Sequence, residues 1–118
     1  MQSVARNTAA HRALALKAAV GAKRLLPLFE KERPNDDRPR KAIDAIRAWA
    51  QGKTVLGMAK VRKLSLDSHA AARAAKTDSA RFAARAAGQA VATWHVPSHA
   101  SGVSYYGSKA VAASKKEK

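Results

Sequence analysis

The sequence contains no cysteine, and this absence excludes disulfide bonds, thiolate metal ligands and a cysteine nucleophile. It also lacks any uninterrupted apolar run of about 18 residues, so no membrane-spanning helix is predicted. The N-terminal stretch is basic, but polar residues interrupt its apolar positions, and it does not resemble a signal peptide. Together these absences predict a cytoplasmic protein that does not enter a membrane.

Acidic residues are also scarce. The chain has eight Asp and Glu against 23 Lys and Arg, which gives a formal net charge of +15. A charge of this size attracts anionic partners and keeps the protein soluble, but it does not decide the fold. The composition therefore predicts a negatively charged partner, which could be an acidic protein or a nucleic acid.

Large apolar residues are few, whereas alanine occupies 29 of the 118 positions. Alanine loses no side-chain entropy in a helix and lets neighbouring helices approach closely. No segment shows the alternating apolar pattern of a strand flanked by hairpin turns. The sequence therefore predicts an all-α, single-domain antiparallel bundle of about five helices over residues 1–113, followed by a frayed basic tail at 114–118.

Prolines, glycines and capping residues mark the ends of the predicted helices. Pro27 is expected to kink or break the first helix, because proline lacks an N–H and clashes with the carbonyl four residues earlier. Asp36 or Asp37 is expected to cap the second helix, Thr54 the third, and Thr77 to start the fourth. The predicted helices cover about 8–32, 38–52, 55–76, 77–94 and 98–113.

Apolar positions that recur on one helical face predict the core. On the second helix this pattern predicts that Ile43, Ile46 and Trp49 are buried. On the third helix it predicts burial of Leu56, Ala59, Leu66 and Ala70.

The sequence carries no motif of a known catalytic site. No Gly-x-Ser-x-Gly turn and no glycine-rich phosphate loop is present, so neither nucleophilic catalysis nor nucleotide binding is indicated. The acidic residues lie where helix ends and surfaces favour them, as Asp36, Asp37 and Asp78 do. The sequence therefore predicts a non-catalytic protein that acts by binding another macromolecule.

The histidines leave two interpretations open. His95 and His99 are four residues apart, a spacing that can place two imidazoles on one helical face for zinc. However, Val96 occupies the place of the general-base glutamate of zinc proteases, Pro97 disturbs the spacing, and a third ligand would have to come from His69. Neutral imidazoles can instead form hydrogen bonds between helices. We favour this structural role, and we predict no metal site and no cofactor.

Basic residues concentrate in the second half of the chain. Between Leu56 and His95 there are seven Lys or Arg against two acidic residues. Such a surface can be a solvated face or an anion-binding face, and it supports nucleic-acid binding as the alternative function. The residues of this alternative are Lys60, Arg62, Lys63, Arg81 and Arg85.

Several short motifs give the chain a family resemblance. The most specific are Asp36-Asp37-Arg38-Pro39-Arg40, Ala48-Trp49-Ala50 and His95-Val96-Pro97-Ser98-His99, and further similar stretches lie at 25–30, 69–73, 83–93 and 105–110. Over about residues 14–111 the chain resembles the immunity-protein-five-like family of bacterial polymorphic toxin systems. The resemblance implies an all-α antidote that neutralises a toxin, without a catalytic residue.

The net charge bears on the partner that this resemblance implies. An antidote to a nuclease is expected to be acidic, whereas this chain has a charge of +15 and carries Lys60, Lys63 and Lys76 where family members tend to have acids. We therefore expect a cognate toxin with an acidic surface. Binding would depend on aromatic and arginine side chains flanked by charges. The predicted partner-binding residues are Arg38, Arg40, His69, Arg73, His95, His99, Tyr105 and Tyr106.

Overall fold

Five α-helices and one short 3₁₀ helix make up the computed structural model, which describes residues 4–118. Within that range there is no β-strand. The all-α, single-domain fold predicted from the sequence is therefore confirmed. The helices are α1 (Ala9–Glu30), α2 (Arg38–Ala50), α3 (Met58–Ala74), α4 (Asp78–Ala92) and α5 (Ala100–Lys116), with the 3₁₀ helix at Pro97–His99.

Two of the helices begin at threonine caps. The Thr8 hydroxyl accepts a hydrogen bond from the His11 N–H at 3.1 Å, and the Thr77 hydroxyl accepts one from the Ala80 N–H at 3.3 Å. Both bonds satisfy an N–H that lacks a partner within the helix. The prediction that Thr54 caps α3 is wrong, because the chain stays non-helical until Gly57 and α3 starts at Met58.

Pro27 was predicted to kink or break α1, and the break does not occur. The helix continues through Pro27 to Glu30, so the proline lies in the last turn. Pro27 and Lys23 both lie on the exposed side of the helix. Water can therefore satisfy the Lys23 carbonyl, which would otherwise accept from the missing N–H.

The end of α5 also differs from the prediction. The helix reaches Lys116, whereas the predicted helix ended near Ala113 and left a frayed tail at 114–118. The Glu117 carboxylate accepts hydrogen bonds from the N–H and the hydroxyl of Ser79 in the first turn of α4. A carboxylate at a helix N-terminus is favourable, and this contact ties the end of the chain to the domain.

The core of α2 is as predicted, whereas the core predicted for the third helix is only partly so, because Leu56 is buried but Ala59 and Leu66 are exposed. Ile43, Ile46 and Trp49 are all buried. On α3, however, Leu66 is 61% exposed, and the buried positions are Val61, Ser68, Ala71 and Ala72. Ser68 lies seven positions after Val61, and Ala71 and Ala72 lie three and four after Ser68, so these residues share the side of α3 that packs on α2 and α4.

The helices form two layers with α4 at the centre. In the first layer α4 lies between α3 and α5, which do not contact each other, and in the second layer α2 covers α3 and α4 while α1 covers α4 and α5. The smallest extent of the molecule, 18 Å, fits two layers of helices. Alanines at most buried α4 positions allow this close packing. No helix in residues 4–118 is long and apolar enough to cross a membrane.

Candidate functional site

One side of α4 is left uncovered by the second layer, and it defines the candidate site. Every α4 residue that is not fully buried falls on this single stripe, and the stripe is bordered by side chains of α3 and of the segment that leads into α5. We call this surface the α3–α4–α5 face. Its α4 residues are Asp78, Arg81, Phe82, Arg85, Gln89 and Ala92, and its flanking residues are Arg62, Leu66, His69 and Arg73 on one side and His95, His99, Tyr105, Tyr106 and Lys109 on the other.

A hydrogen bond between α3 and α4 fixes two side chains on this face. The Arg85 Nη1 donates to the Nδ1 of His69 at 2.9 Å. The imidazole ring packs directly on the backbone of Gly88, where an added Cβ would lie 2.7 Å from the His69 Nε2. Glycine at position 88 therefore makes room for the ring, because a contact that short requires a shift.

A matching arrangement lies on the α5 side of the face. The Nδ1 of His99 donates to the Oε1 of Gln89 at 2.7 Å. A Cβ at Gly102 would lie 2.6 Å from that same oxygen. Two glycines thus accommodate two polar pairs, one on each side of the α4 stripe. The prediction of histidines that form hydrogen bonds between elements is confirmed for His69 and His99. His95 is exposed, and its side chain makes no hydrogen bond to any residue of 4–118.

The electrostatic environment of His69 favours the neutral form of its imidazole. Burial lowers the pKa of His69, and the nearby charges of Arg85, Arg73 and His99 lower it further. Both burial and neighbouring positive charge disfavour the protonated ring. A neutral ring is also what the geometry requires, because Nδ1 must be an acceptor to receive the arginine N–H.

Aromatic side chains occupy the end of the face near the start of α4. The Phe82 and Tyr106 rings stack with centroids 6.1 Å apart, and Tyr105 meets Tyr106 edge to face at 5.1 Å. The Lys109 ammonium lies 5.1 Å from the Tyr105 ring and 5.6 Å from the Phe82 ring. Tyr105 is 57% exposed, so it presents an ordered aromatic surface to solvent.

A small cavity of about 180 Å³ lies at the opposite end of the face. Arg62, Ser65 and Leu66 of α3 border it on one side, and His95 and His99 border it on the other. Within residues 4–118, no group of three or more His, Asp or Glu side chains is placed to hold a metal ion.

The charges on the face are almost all positive. Asp78 is its one carboxylate, and it pairs with Arg81 at 2.9 Å. Asp67 lies on another side of α3 and pairs with Lys63 at 2.9 Å. In the described residues Arg62, Arg73 and Arg85 have no carboxylate within 4.0 Å, so the middle of the face carries uncompensated positive charge.

Arg38 and Arg40, which the sequence analysis grouped with the histidines, lie elsewhere. The Arg38 guanidinium holds Asp36 through two hydrogen bonds of 2.9 and 2.7 Å, and Arg40 holds Glu30 through two of 2.8 and 2.7 Å. Such bidentate pairs are strong. These arginines are committed to contacts within the domain and do not adjoin the α3–α4–α5 face.

The five residues of the nucleic-acid alternative do not form one row. Lys60 and Lys63 border a groove of about 480 Å³ between α2 and α3, whereas Arg62 faces the cavity beside His99. Arg81 and Arg85 belong to the α3–α4–α5 face. The structure thus divides these cations between two sides of α3.

Sequence reasoning missed several members of the face. Phe82, Gly88, Gln89, Gly102 and Lys109 were not predicted as site residues. The spacing of the α4 positions 78, 82, 85, 89 and 92 marks them as one stripe. Because alanines surround the stripe, this pattern could have been read as an outward-facing row.

The fold and this face define a small all-α protein with an ordered, cation-rich surface. Residues 5–118 match the family described as Imm-5 like putative immunity protein, and this match covers essentially the whole chain. The chain belongs to that family. Neither a curated protein nor a solved structure matches the chain significantly.

Proposed function

We propose that this protein is a cytoplasmic, non-catalytic antidote that binds and neutralises a bacterial toxin through the α3–α4–α5 face. The family match supports an immunity role. We choose this surface because of the row of polar and aromatic side chains along α4. Their hydrogen bonds to α3 and to the segment before α5 hold them in position at the solvent boundary.

The composition of the face supports protein binding. Arginine and tyrosine are enriched at the energetic centres of protein interfaces, and here Arg85, Tyr105 and Tyr106 occur together. Fixing their side chains before the partner arrives reduces the entropy lost on binding. Pairs such as Arg85 with His69 and Phe82 with Tyr106 provide that order.

The charge of the face indicates the partner's surface. Carboxylates are absent from its middle, whereas Arg62, Arg73 and Arg85 are present without an acidic partner among the described residues. A toxin with an acidic surface would complement this charge and would be steered toward the face during encounter. The antidote would then act stoichiometrically by covering the toxin.

Co-expression tests the proposal. A toxic bacterial domain that co-purifies with this chain from its host is expressed in bacteria with the wild-type chain, with Arg85→Glu or with Tyr105→Ala, and growth is measured. We expect the wild type to restore growth and both variants to lose protection. Lys23→Glu is the matched control, because Lys23 is exposed on α1 outside the face, and it should protect like the wild type.

Two results would contradict the proposal. Wild-type chain that fails to protect, although it is folded and abundant, would remove the antidote function. If the Arg85→Glu and Tyr105→Ala variants protect fully, the antidote function stands, but the toxin must contact a different surface of the protein. Circular dichroism melts of each variant separate loss of binding from loss of folding.

A further inference from the structure

We propose that the Arg85 guanidinium is a carboxylate-binding site, which receives an aspartate or glutamate side chain of the partner protein, and that His69 positions it. This inference rests on the proposed function and specifies the chemistry of its contact.

Arg85 is a half-buried cation without an acidic partner. Its hydrogen bond to His69 is the one that its side chain makes among the described residues, and no carboxylate there lies within 4.0 Å. An arginine side chain stays charged and offers five N–H donors. Four of these donors therefore remain for a ligand, and an anion would compensate the charge.

His69 controls the direction of the guanidinium. Its Nδ1 accepts from the Arg85 Nη1 at 2.9 Å, and its ring is held on the other side by contact with Gly88. A ring fixed in this way offers one acceptor at one place. The arginine is thereby oriented before binding, which reduces the rotamer entropy lost when an anion binds.

The surroundings favour a carboxylate. The planar guanidinium matches the two oxygens of a carboxylate, and paired hydrogen bonds of this kind are strong. Arg73 lies close enough to lower the pKa of His69, so its guanidinium adds positive potential at the same place.

A nucleic acid fits this site less well. It presents a regular row of phosphates, and tight binding requires several free cations in register. On this face Arg81 is engaged by Asp78, and Lys109 lies over aromatic rings. The free cations are therefore few and clustered around Arg85, which favours a local contact with one acidic side chain.

Nuclear magnetic resonance titration with a hexaglutamate peptide at low ionic strength tests the site. We expect saturable shifts of the Arg85 Nε–Hε and His99 ring signals. Arg85→Gln should weaken binding about tenfold or more, because a hydrogen bond to a charged group is lost. Arg85→Lys should weaken it too, since lysine keeps the charge but lacks the planar fork. Lys23→Gln, the control on α1, should bind like the wild type.

Two substitutions of His69 test whether this residue positions the Arg85 guanidinium. His69→Gln retains an acceptor and should preserve both the Arg85 Nε–Hε signal and peptide binding. His69→Leu removes the acceptor and should broaden that signal and weaken binding, while the melting temperature is followed separately. Equal binding by His69→Leu and His69→Gln would overturn the positioning role.

Other outcomes would overturn the carboxylate site itself. One such outcome is that Arg85→Gln binds the peptide as tightly as the wild type. Another is that a short DNA duplex shifts the Arg85 signal of the wild type more strongly than the peptide does. The antidote function and the carboxylate site at Arg85 can be contradicted independently. Peptide binding at Arg85 without growth protection would contradict the antidote function, whereas protection that survives Arg85→Gln would contradict the carboxylate site.

Discussion

The Nε2 of His11 on α1 donates a hydrogen bond of 2.6 Å to the backbone carbonyl of Thr93, which lies just past the end of α4. The other ring nitrogen, Nδ1, accepts from the Asn7 N–H at 2.9 Å, so both nitrogens are satisfied and the tautomer is determined. The ring also packs against Trp49 with centroids 4.9 Å apart. His11 therefore connects the start of α1 and the end of α4 with Trp49 in the core of α2.

His11→Ala is expected to lower the free energy of unfolding by roughly 1–3 kcal/mol, because it leaves the buried Thr93 carbonyl without its partner. Urea unfolding of the variant and the wild type measures the difference. His95→Ala is the matched control, since His95 is exposed and its side chain has no hydrogen-bond partner in the part of the chain that the structure describes. Equal losses in the two variants would show that the His11 contact contributes nothing specific.

Trp49→Ala should cost more than His11→Ala. The indole is 4% exposed and is covered by the Arg12 guanidinium, whose carbon lies 4.3 Å from the ring centroid. Removing a buried aromatic ring leaves a cavity and typically costs about 3–5 kcal/mol. A loss below about 1 kcal/mol in urea unfolding would contradict this burial.

A double-mutant cycle tests the contact between Gly88 and His69. Gly88→Ala alone should destabilise the protein by roughly 1–3 kcal/mol, because the new Cβ overlaps the imidazole ring. In a His69→Ala background the overlap is gone, and the higher helix propensity of alanine should stabilise the protein by about 1 kcal/mol. A Gly88→Ala effect that is the same in both backgrounds would show that the ring does not fill this space.

The stability of the protein should fall with decreasing pH in two separate windows. The pKa of His69 lies below its ordinary value of 6.5 because of burial and neighbouring cations. The unfolded state therefore binds more protons just below pH 6.5, and stability decreases as the pH falls from there through the folded-state pKa. Hydrogen bonds from Arg38 lower the pKa of Asp36 from 3.8 to about 2, so a second loss follows as the pH falls through that range.

Urea unfolding as a function of pH separates the two windows. His69→Gln should flatten the first window and leave the second, whereas Asp36→Asn should reduce the second and leave the first. A remainder of the second window is expected from Glu32, whose pKa is also lowered, because the opposing effect of its burial is outweighed by hydrogen bonds from Lys76 and Thr77. If the His69→Gln variant still loses stability as the pH falls below neutral, a titrating group other than His69 causes that loss.

Local sequence signals predicted those parts of the fold that depend on nearby residues. Thr77 caps α4 as expected, and Gly52 adopts the left-handed conformation, with φ of 75°, that follows the end of α2. The register of α3 was predicted wrongly, because alanine is compatible with both faces of a helix. With Leu66 outside and Ser68 inside, hydrophobicity alone could not identify the buried side.

The site was predicted less completely than the fold. His69 and Arg85 were assigned to two different hypotheses, one for protein binding and one for nucleic acid, and the structure brings them within 2.9 Å. Whether the two side chains contact each other depends on how α3 and α4 are rotated about their own axes. The packing of alanines between the helices sets that rotation. Arg38 and Arg40 looked equally available. The position of α2 relative to α1 brings Glu30 to Arg40, whereas Asp36 lies only two residues before Arg38.

Hydroxyl-radical footprinting of the protein alone and in complex with a toxin domain that co-purifies with it tests the α3–α4–α5 face most directly. Tyr105 and Leu66, both more than half exposed, lie on this face, whereas Leu14 and Leu16 line a separate groove of about 680 Å³ between α1 and α5. We predict that the toxin protects Tyr105 and Leu66 and leaves the oxidation of Leu14 and Leu16 unchanged. Protection of the two leucines in the groove, with Tyr105 and Leu66 oxidised as in the free protein, would contradict binding at the α3–α4–α5 face.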